Sequence, residues 1–315
     1  MRVAAIDVGT VTTRLLVADV TEGPDGVSLV REVLRDLEIT HLGEGLEATG
    51  RLSDAGMRRV AAAVRRFAGG ARVAGAERVA AVATSACRDA ANTAELLEML
   101  AEAGAQAEVV SGEREARLSF LGAAYSLTGD GLLVADLGGG STELILGHAH
   151  VRGVPEVEAA RSYDVGSRRM TERVLVTHPP APEALERARE WALAEMRPFF
   201  DETPGTPRVL VSLAGTATTL SAIHHGMTVY DPERVHGSVL TSEDLDALLE
   251  RLAPLTLEEL REVPGLHPGR ASVIVAGAVV LSAVLELSGL PSTVVSEHDI
   301  LYGIALDAYS ARERP

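Results

Sequence analysis

At 315 residues and 46% hydrophobic, the chain is long enough for two domains with cores of their own and has the balance of a globular protein. A formal charge of −16 excludes a general nucleic-acid coat, which needs a broad basic face to displace counterions from phosphates. All 29 basic residues are arginine, which excludes a Walker-type phosphate loop and a Schiff-base lysine, and the single Cys87 allows no internal disulfide and no cysteine zinc site.

In chain order, AIDVGTVTTRLLVA from Ala5 reads as strand, tight turn, strand, with Asp7 closing the first apolar run and Gly9 in the turn. The apolar start carries Asp7 within it and has no small-residue cleavage site behind it, so no signal peptide is expected and the compartment is read as cytoplasmic. Val27 to Leu37 follows as a strand and HLGEGLEATGRLS as a loop. Ser53 caps an amphipathic helix through RRVAAAVRRF that Gly69 and Gly70 are expected to stop. ERVAAVATSA reads as a buried strand, DAANTAELLEMLAEAG as a helix ending at Gly104, QAEVVSG as a strand and EREARLSFLGAAYSL as a helix.

At Val134 the opening is written again as VADLGGGSTELILG. Asp136 falls on Asp7, Gly138 on Gly9, Ser141 on Thr12, Thr142 on Thr13 and Leu144 on Leu15, at one constant offset. Strands continue to about Tyr163. Then come a helix in PEALERAREWALAEM, the strand RVLVSLAG, the helix TATTLSAIHHG and helices around EDLDALLERLAP and HPGRASVIVAGAVVLSAVLEL. The strand STVVSE and the helix HDILYGIALDAY close the chain. The apolar stretch from Ala271 to Leu285 is too short to span a bilayer and reads as a buried helix. Alternation of this kind is an α/β protein. We read two related α/β domains facing a cleft, residues 1–128 and 129–296, with 297–315 rejoining the first.

A glycine turn lets backbone N–H groups converge on an anion, and Gly138, Gly139 and Gly140, with the Ser141 hydroxyl, suit a phosphate. Gly9, Thr10 and Thr12 offer the same in the first copy. A carboxylate ahead of such a turn makes sense if it holds a divalent cation, so Asp7 and Asp136 are read as metal residues, with Mg²⁺ expected and Mn²⁺ as the alternative ion. HAH at His148–His150 and the pair His224, His225 lack accompanying ligands and are assigned no metal. Arg168, Arg169, His236, His267 and Arg270 are weak candidates for a basic path along a polyanion.

The wording IDVGTVTTRLLVAD, ATSACRDAAN, VVSGEREARLSFLGA, VADLGGGSTELILG, SLAGTATTLSA and VSEHDILYGIAL resembles, nearly end to end, the exopolyphosphatase and guanosine pentaphosphate phosphohydrolase (Ppx/GppA) family in its short two-domain form. The resemblance implies a duplicated ribonuclease H-like fold of the actin-like ATPase type and Mg²⁺-dependent removal of a terminal phosphate from inorganic polyphosphate or pppGpp. It places the general base on Glu115. It places phosphate contacts on Arg88, on Glu143, which lines the site, and on Gly215 and Thr216 of LAGT. Taken without the resemblance, EREAR is a solvated helix turn with Glu113 and Arg117 paired four residues apart. Two-domain members resemble dimers, so a homodimer is expected, with neither nucleic acid nor membrane as partner.

Two positions depart from the family: Val11 stands where asparagine is usual, and His41 where arginine is common. The reading that follows is an exopolyphosphatase. Its competitors are a pppGpp 5′-phosphohydrolase, a polyphosphate- or nucleotide-binding regulator that has lost catalysis, and a sugar kinase or actin-like ATPase.

Overall fold

A computed structural model describes residues 1–23, 28–149 and 155–311. The chain divides into two compact units, one of Met1–Thr128, Ala149–Glu156 and His298–Pro315, the other of Gly129–His148 and Val157–Glu297.

The first unit is built on strands β1 (Arg2–Val8), β2 (Thr12–Glu22), β3 (Ser28–Ile39), β4 (Arg78–Ala83) and β5 (Ala107–Val109), in the sheet order β3-β2-β1-β4-β5. β1 and β2 are antiparallel, as are β2 and β3, while β1, β4 and β5 run parallel. The continuous apolar run of β1 reflects burial on both faces. Ala4, Ile6 and Val8 join Leu15 and Val17 against the helices Asp54–Val73 and Thr93–Ala103. Val3 and Ala5 join Leu16, Ala18 and Val20 against the helices Gly112–Ala123 and Ile300–Ser310.

The second unit holds β6 (Gly129–Leu137), β7 (Thr142–Ala149), β8 (Glu156–Tyr163), β9 (Val209–Leu213), β10 (Val239–Thr241) and β11 (Ser292–Val295), in the order β10-β11-β9-β6-β7-β8. Read from β8, this is the first sheet's arrangement again, with β11 where β5 stands and β10 added at the edge. β9 runs parallel to β6 and β11 parallel to β9, as β4 does to β1 and β5 to β4. The long apolar segment forms the helix Ile274–Ser288, with eleven of its residues buried. Among the described residues no helix is long and apolar enough to cross a membrane.

Local expectations met the structure unevenly. Ser53 caps its helix by accepting from the Gly56 amide, and Gly104, at φ 102°, ends the Thr93–Ala103 helix. Gly69 and Gly70 do not stop the preceding helix, which runs to Val73. Two interior glycines cost about 2 kcal/mol against alanine. The buried stripe Val60, Val64, Phe67 and Ala71 continues past them, and each large apolar side chain buried contributes about 1.5–3 kcal/mol. The left-handed residue that follows this helix is Gly75, at φ 77°. ATSA does not extend its strand either: β4 stops at Ala83, and Ser85–Asp89 is a short helix. The loop expected at HLGEGLEATGRLS contains one helical turn, Leu46–Thr49.

Candidate active site

The two Asp-Gly turns are closed in the same way. The Gly9 amide donates to the Thr12 carbonyl at 2.9 Å, and the Gly138 amide to the Ser141 carbonyl at 3.0 Å. A Cβ on Gly9 would lie 3.0 Å from the Thr12 oxygen and one on Gly138 3.1 Å from the Ser141 oxygen, so both closures are tight.

A following segment then ties down the carbonyl side of each turn. In the first, Thr40 and His41 donate to the Val11 oxygen and Gly43 to the Thr10 oxygen, each at 2.9 Å. In the second, Arg168 and Arg169 donate to the Gly139 oxygen at 2.7 and 3.1 Å, and Ser167 to the Gly138 oxygen at 3.0 Å. The segments approach through glycines: a Cβ on Gly43 would sit 2.3 Å from Thr10 Cγ2, and one on Gly166 would sit 2.5 Å from the Gly140 carbonyl carbon. With the carbonyls engaged, the Thr10, Val11, Gly139 and Gly140 amides have no protein acceptor among the described residues. Within each turn, adjacent unused amides are what an anion needs.

Val11 is 8% exposed, so its side chain packs inward while its peptide keeps the turn's geometry. His41 adopts φ 46°, a left-handed conformation in which histidine is several-fold enriched, and its carbonyl accepts from Arg59 at 3.2 Å.

The residues flanking the two turns carry opposite charge. Asp7 on β1 stands across from Arg14 on β2. Arg14 gives Nε and Nη2 to Asp7 Oδ2 at 3.0 and 2.6 Å, and Nη1 to Asp299 Oδ2. Burial pushes the Asp7 carboxyl above its ordinary value, against the pull of Arg14. Asp299 is as deeply buried, but the charges of Arg14 and Arg35 and the Leu301 amide outweigh burial and hold it below the usual carboxylate range. The arginine's counterpart in the second unit is Glu143. Counting back from the Gly138–Ser141 closure puts it opposite Asp136, as Arg14 is opposite Asp7. Asp136 is 6% and Glu143 1% exposed, and Glu143 accepts from the Ser162 hydroxyl at 2.6 Å.

Glu115 lies in the first turn of the Gly112–Ala123 helix, whose N-cap Ser111 accepts from the Arg114 amide. It is 8% exposed and accepts from Arg88 Nη1 at 2.5 Å, while the same nitrogen reaches the Val110 carbonyl at 3.2 Å. Glu113 and Arg117 form the exposed i,i+4 pair at 3.1 Å, so the solvated-turn reading of EREAR holds for one face of the helix and the buried reading for Glu115. Cys87, beside Arg88, is no nucleophile: burial pushes its thiol up to about 12.

In the second unit β9 passes into the Ala214–His224 helix through Ala214, at φ 62°. Arg270 Nη1 donates to the Gly215 carbonyl and to Thr219 Oγ1, and a Cβ on Gly215 would overlap that guanidinium at 1.9 Å. Gly277 makes the same allowance for Thr216, at 2.6 Å. Four of the five candidates for a basic path also make structural contacts. Arg169 Nε braces the Gly140 carbonyl at 2.8 Å, Arg270 holds the Gly215 turn, His267 caps a 3₁₀ turn and His236 accepts from the Glu297 amide at 3.2 Å. Aligning the two copies sets Arg14 against Glu143, the one charged mismatch between them, whereas nothing in the sequence points to Asp299.

Among the described residues no three His, Cys, Asp or Glu side chains form a metal cage. Mg²⁺ demands less, taking one or two carboxylates and completing its octahedron with water and substrate phosphate. Asp136 and Glu143 fit that need. Asp7, with Oδ2 held twice by Arg14, fits it less well.

Paired sheets of one topology and paired Asp-Gly turns define the class: a duplicated α/β protein of the ribonuclease H-like type. The Ppx/GppA phosphatase family profile matches residues 16–307, and the chain belongs to that family. It is 41% identical to exopolyphosphatase 2 of Mycobacterium tuberculosis (strain CDC 1551 / Oshkosh) over 97% of this chain and 98% of that protein. The crystal structure of the Aquifex aeolicus member of the family aligns with TM-score 0.81 and 30% identity, covering 100% of this chain and 99% of that one. That of an exopolyphosphatase-like protein aligns with TM-score 0.87 and 37% identity, covering 99% of both.

Proposed function

We propose that the protein is an exopolyphosphatase, releasing orthophosphate from the end of inorganic polyphosphate in a Mg²⁺-dependent reaction. The observation that carries the reading is Glu115, a buried carboxylate at a helix start, held by Arg88. The nearly full-length likeness to a mycobacterial exopolyphosphatase supports polyphosphate as substrate.

The amides of Thr10, Val11, Gly139 and Gly140, with the Thr12 and Ser141 hydroxyls, bind phosphate oxygens, and the Gly215–Thr216 turn adds to them. Arg88 orients Glu115, and its planar guanidinium is the kind of group that recognises phosphate oxygens. Glu115 takes the proton of a water molecule as its oxygen attacks the terminal phosphorus. The bridging P–O bond breaks, orthophosphate departs, and the shortened chain leaves with the bridging oxygen. Asp136 and Glu143 would hold Mg²⁺, which would offset the negative charge of the phosphates. Asp7 is assigned to the turn itself, because its charge is met by Arg14.

Glu115→Gln keeps the size and the acceptor oxygen but removes the base. It should lower kcat by about 10²–10⁴-fold, the usual span of general-base catalysis, and leave KM little changed. Steady-state orthophosphate release from polyphosphate checks this, and near-normal release by the variant would remove Glu115 from the role.

A further inference from the structure

We propose that Asp299 is a positioning residue for phosphate binding: through Arg14 it holds Asp7 and the Gly9–Thr12 turn in the shape that accepts phosphate. The assignment rests on the functional reading above.

Asp299 and Arg14 are 285 positions apart in sequence. One planar guanidinium joins two carboxylates, Asp7 from the end of β1 and Asp299 from the start of the Ile300–Ser310 helix. Asp7 is 4% and Asp299 3% exposed. Arg35, 3.9 Å from Asp299, supplies a second cation, so two acids face two arginines.

The anchor is rigid. Asp299 Oδ1 accepts from the Leu301 amide at 2.9 Å, and its carbonyl accepts from Tyr302 and Gly303 at 3.0 and 3.2 Å. That carbonyl lies directly over Gly122, where a Cβ would be only 1.8 Å from the oxygen. Gly303 in turn lies under the Leu118 carbonyl, at 1.9 Å. Two helices crossing backbone to backbone cannot slide, and one of them carries Glu115. Asp299 therefore refers the first turn and the base to one fixed point.

The anchor matters because the Asp7 carboxylate lies under the turn, with Oδ2 3.9 Å from where a Gly9 Cβ would sit. An anion so placed repels phosphate unless its orientation and charge are held, and in a buried setting the repulsion is poorly screened. Arg14 supplies the charge, and Asp299 fixes the plane in which Arg14 supplies it. Without Asp299's charge, Arg14 and Asp7 turn together and the floor of the turn moves.

Asparagine caps a helix as well as aspartate, so Asp299→Asn keeps the cap and removes the charge. Arg14→Lys keeps the charge and removes the planar fork. Each should raise the calorimetric Kd for tripolyphosphate with Mg²⁺, and the KM for polyphosphate, by about tenfold while kcat changes by less than about threefold. The double variant should be no weaker than the weaker single, since both act through one contact. Wild-type affinity in Asp299→Asn, a loss confined to kcat, or additive losses in the double variant would overturn the assignment. So would an Asp299→Asn protein that fails to fold, which would make the role structural. Wild-type protein that binds no tripolyphosphate would instead overturn the functional reading, and the assignment with it.

Discussion

Asp7 and Asp136 occupy the same place in two copies of one motif but have opposite surroundings. Arg14 faces Asp7, whereas Glu143 is the matching residue beside Asp136. The exchange sets an arginine against the carboxylate beside one turn and a second acid against the carboxylate beside the other. Ala214 shows a second kind of specialisation. Its φ of 62° is a left-handed conformation that costs an L-residue about 1–2 kcal/mol, accepted where β9 must turn abruptly into the helix bearing Gly215 and Thr216. Ala214→Gly should relieve that strain, less the unfolded-chain entropy glycine adds, and raise stability by about 0.5–1 kcal/mol in urea denaturation. A destabilised variant would show that the methyl group is needed for packing.

Between elements, the recurring device is a glycine at the point where one segment crosses another. Gly166 is the clearest case: a Cβ there would meet two backbone carbonyl carbons, at 2.5 Å on Gly140 and 2.6 Å on Gly139, and neither can swing aside. The Ser167–Arg173 helix, which holds the carbonyl side of the glycine turn, would be pushed off it. Gly166→Ala should cost about 1–3 kcal/mol, as overpacking does, and should weaken tripolyphosphate binding out of proportion to the thermal shift. Unchanged binding would show that the turn keeps its shape without this brace. The sequence made the turns themselves legible because each pairs a strand-ending aspartate with glycine and hydroxyl residues at one spacing. The braces were not legible: Thr40–Gly43 and Gly166–Arg169 lie about 30 residues downstream of their turns, and nothing in their composition marks the contact. Gly69 and Gly70 misled for the converse reason, being strong local stop signals overridden by a buried stripe that continues past them.

Over the whole chain, the second sheet repeats the first strand for strand, with β10 as its addition. Repetition at that scale was readable from two fourteen-residue segments, because a shared turn implies the shared strands that present it. The unequal pair, Arg14 against Glu143, is readable from the same comparison; what it does not show is Asp299, which joins Arg14 from 285 positions away. Val11 brings no polar side chain to the first turn. Its side chain is buried and its carbonyl accepts from Thr40 and His41, so what the turn presents at this position is backbone. Each unit carries buried carboxylates of its own, Glu115 with Arg88 in the first, Asp136 and Glu143 beside the triple-glycine turn in the second. The most direct test of the account is orthophosphate release by the purified protein with Mg²⁺, measured in parallel on long polyphosphate, pppGpp and ATP. The account predicts release from polyphosphate at a kcat/KM well above that for either nucleotide; release from pppGpp alone, or from none of the three, would contradict it.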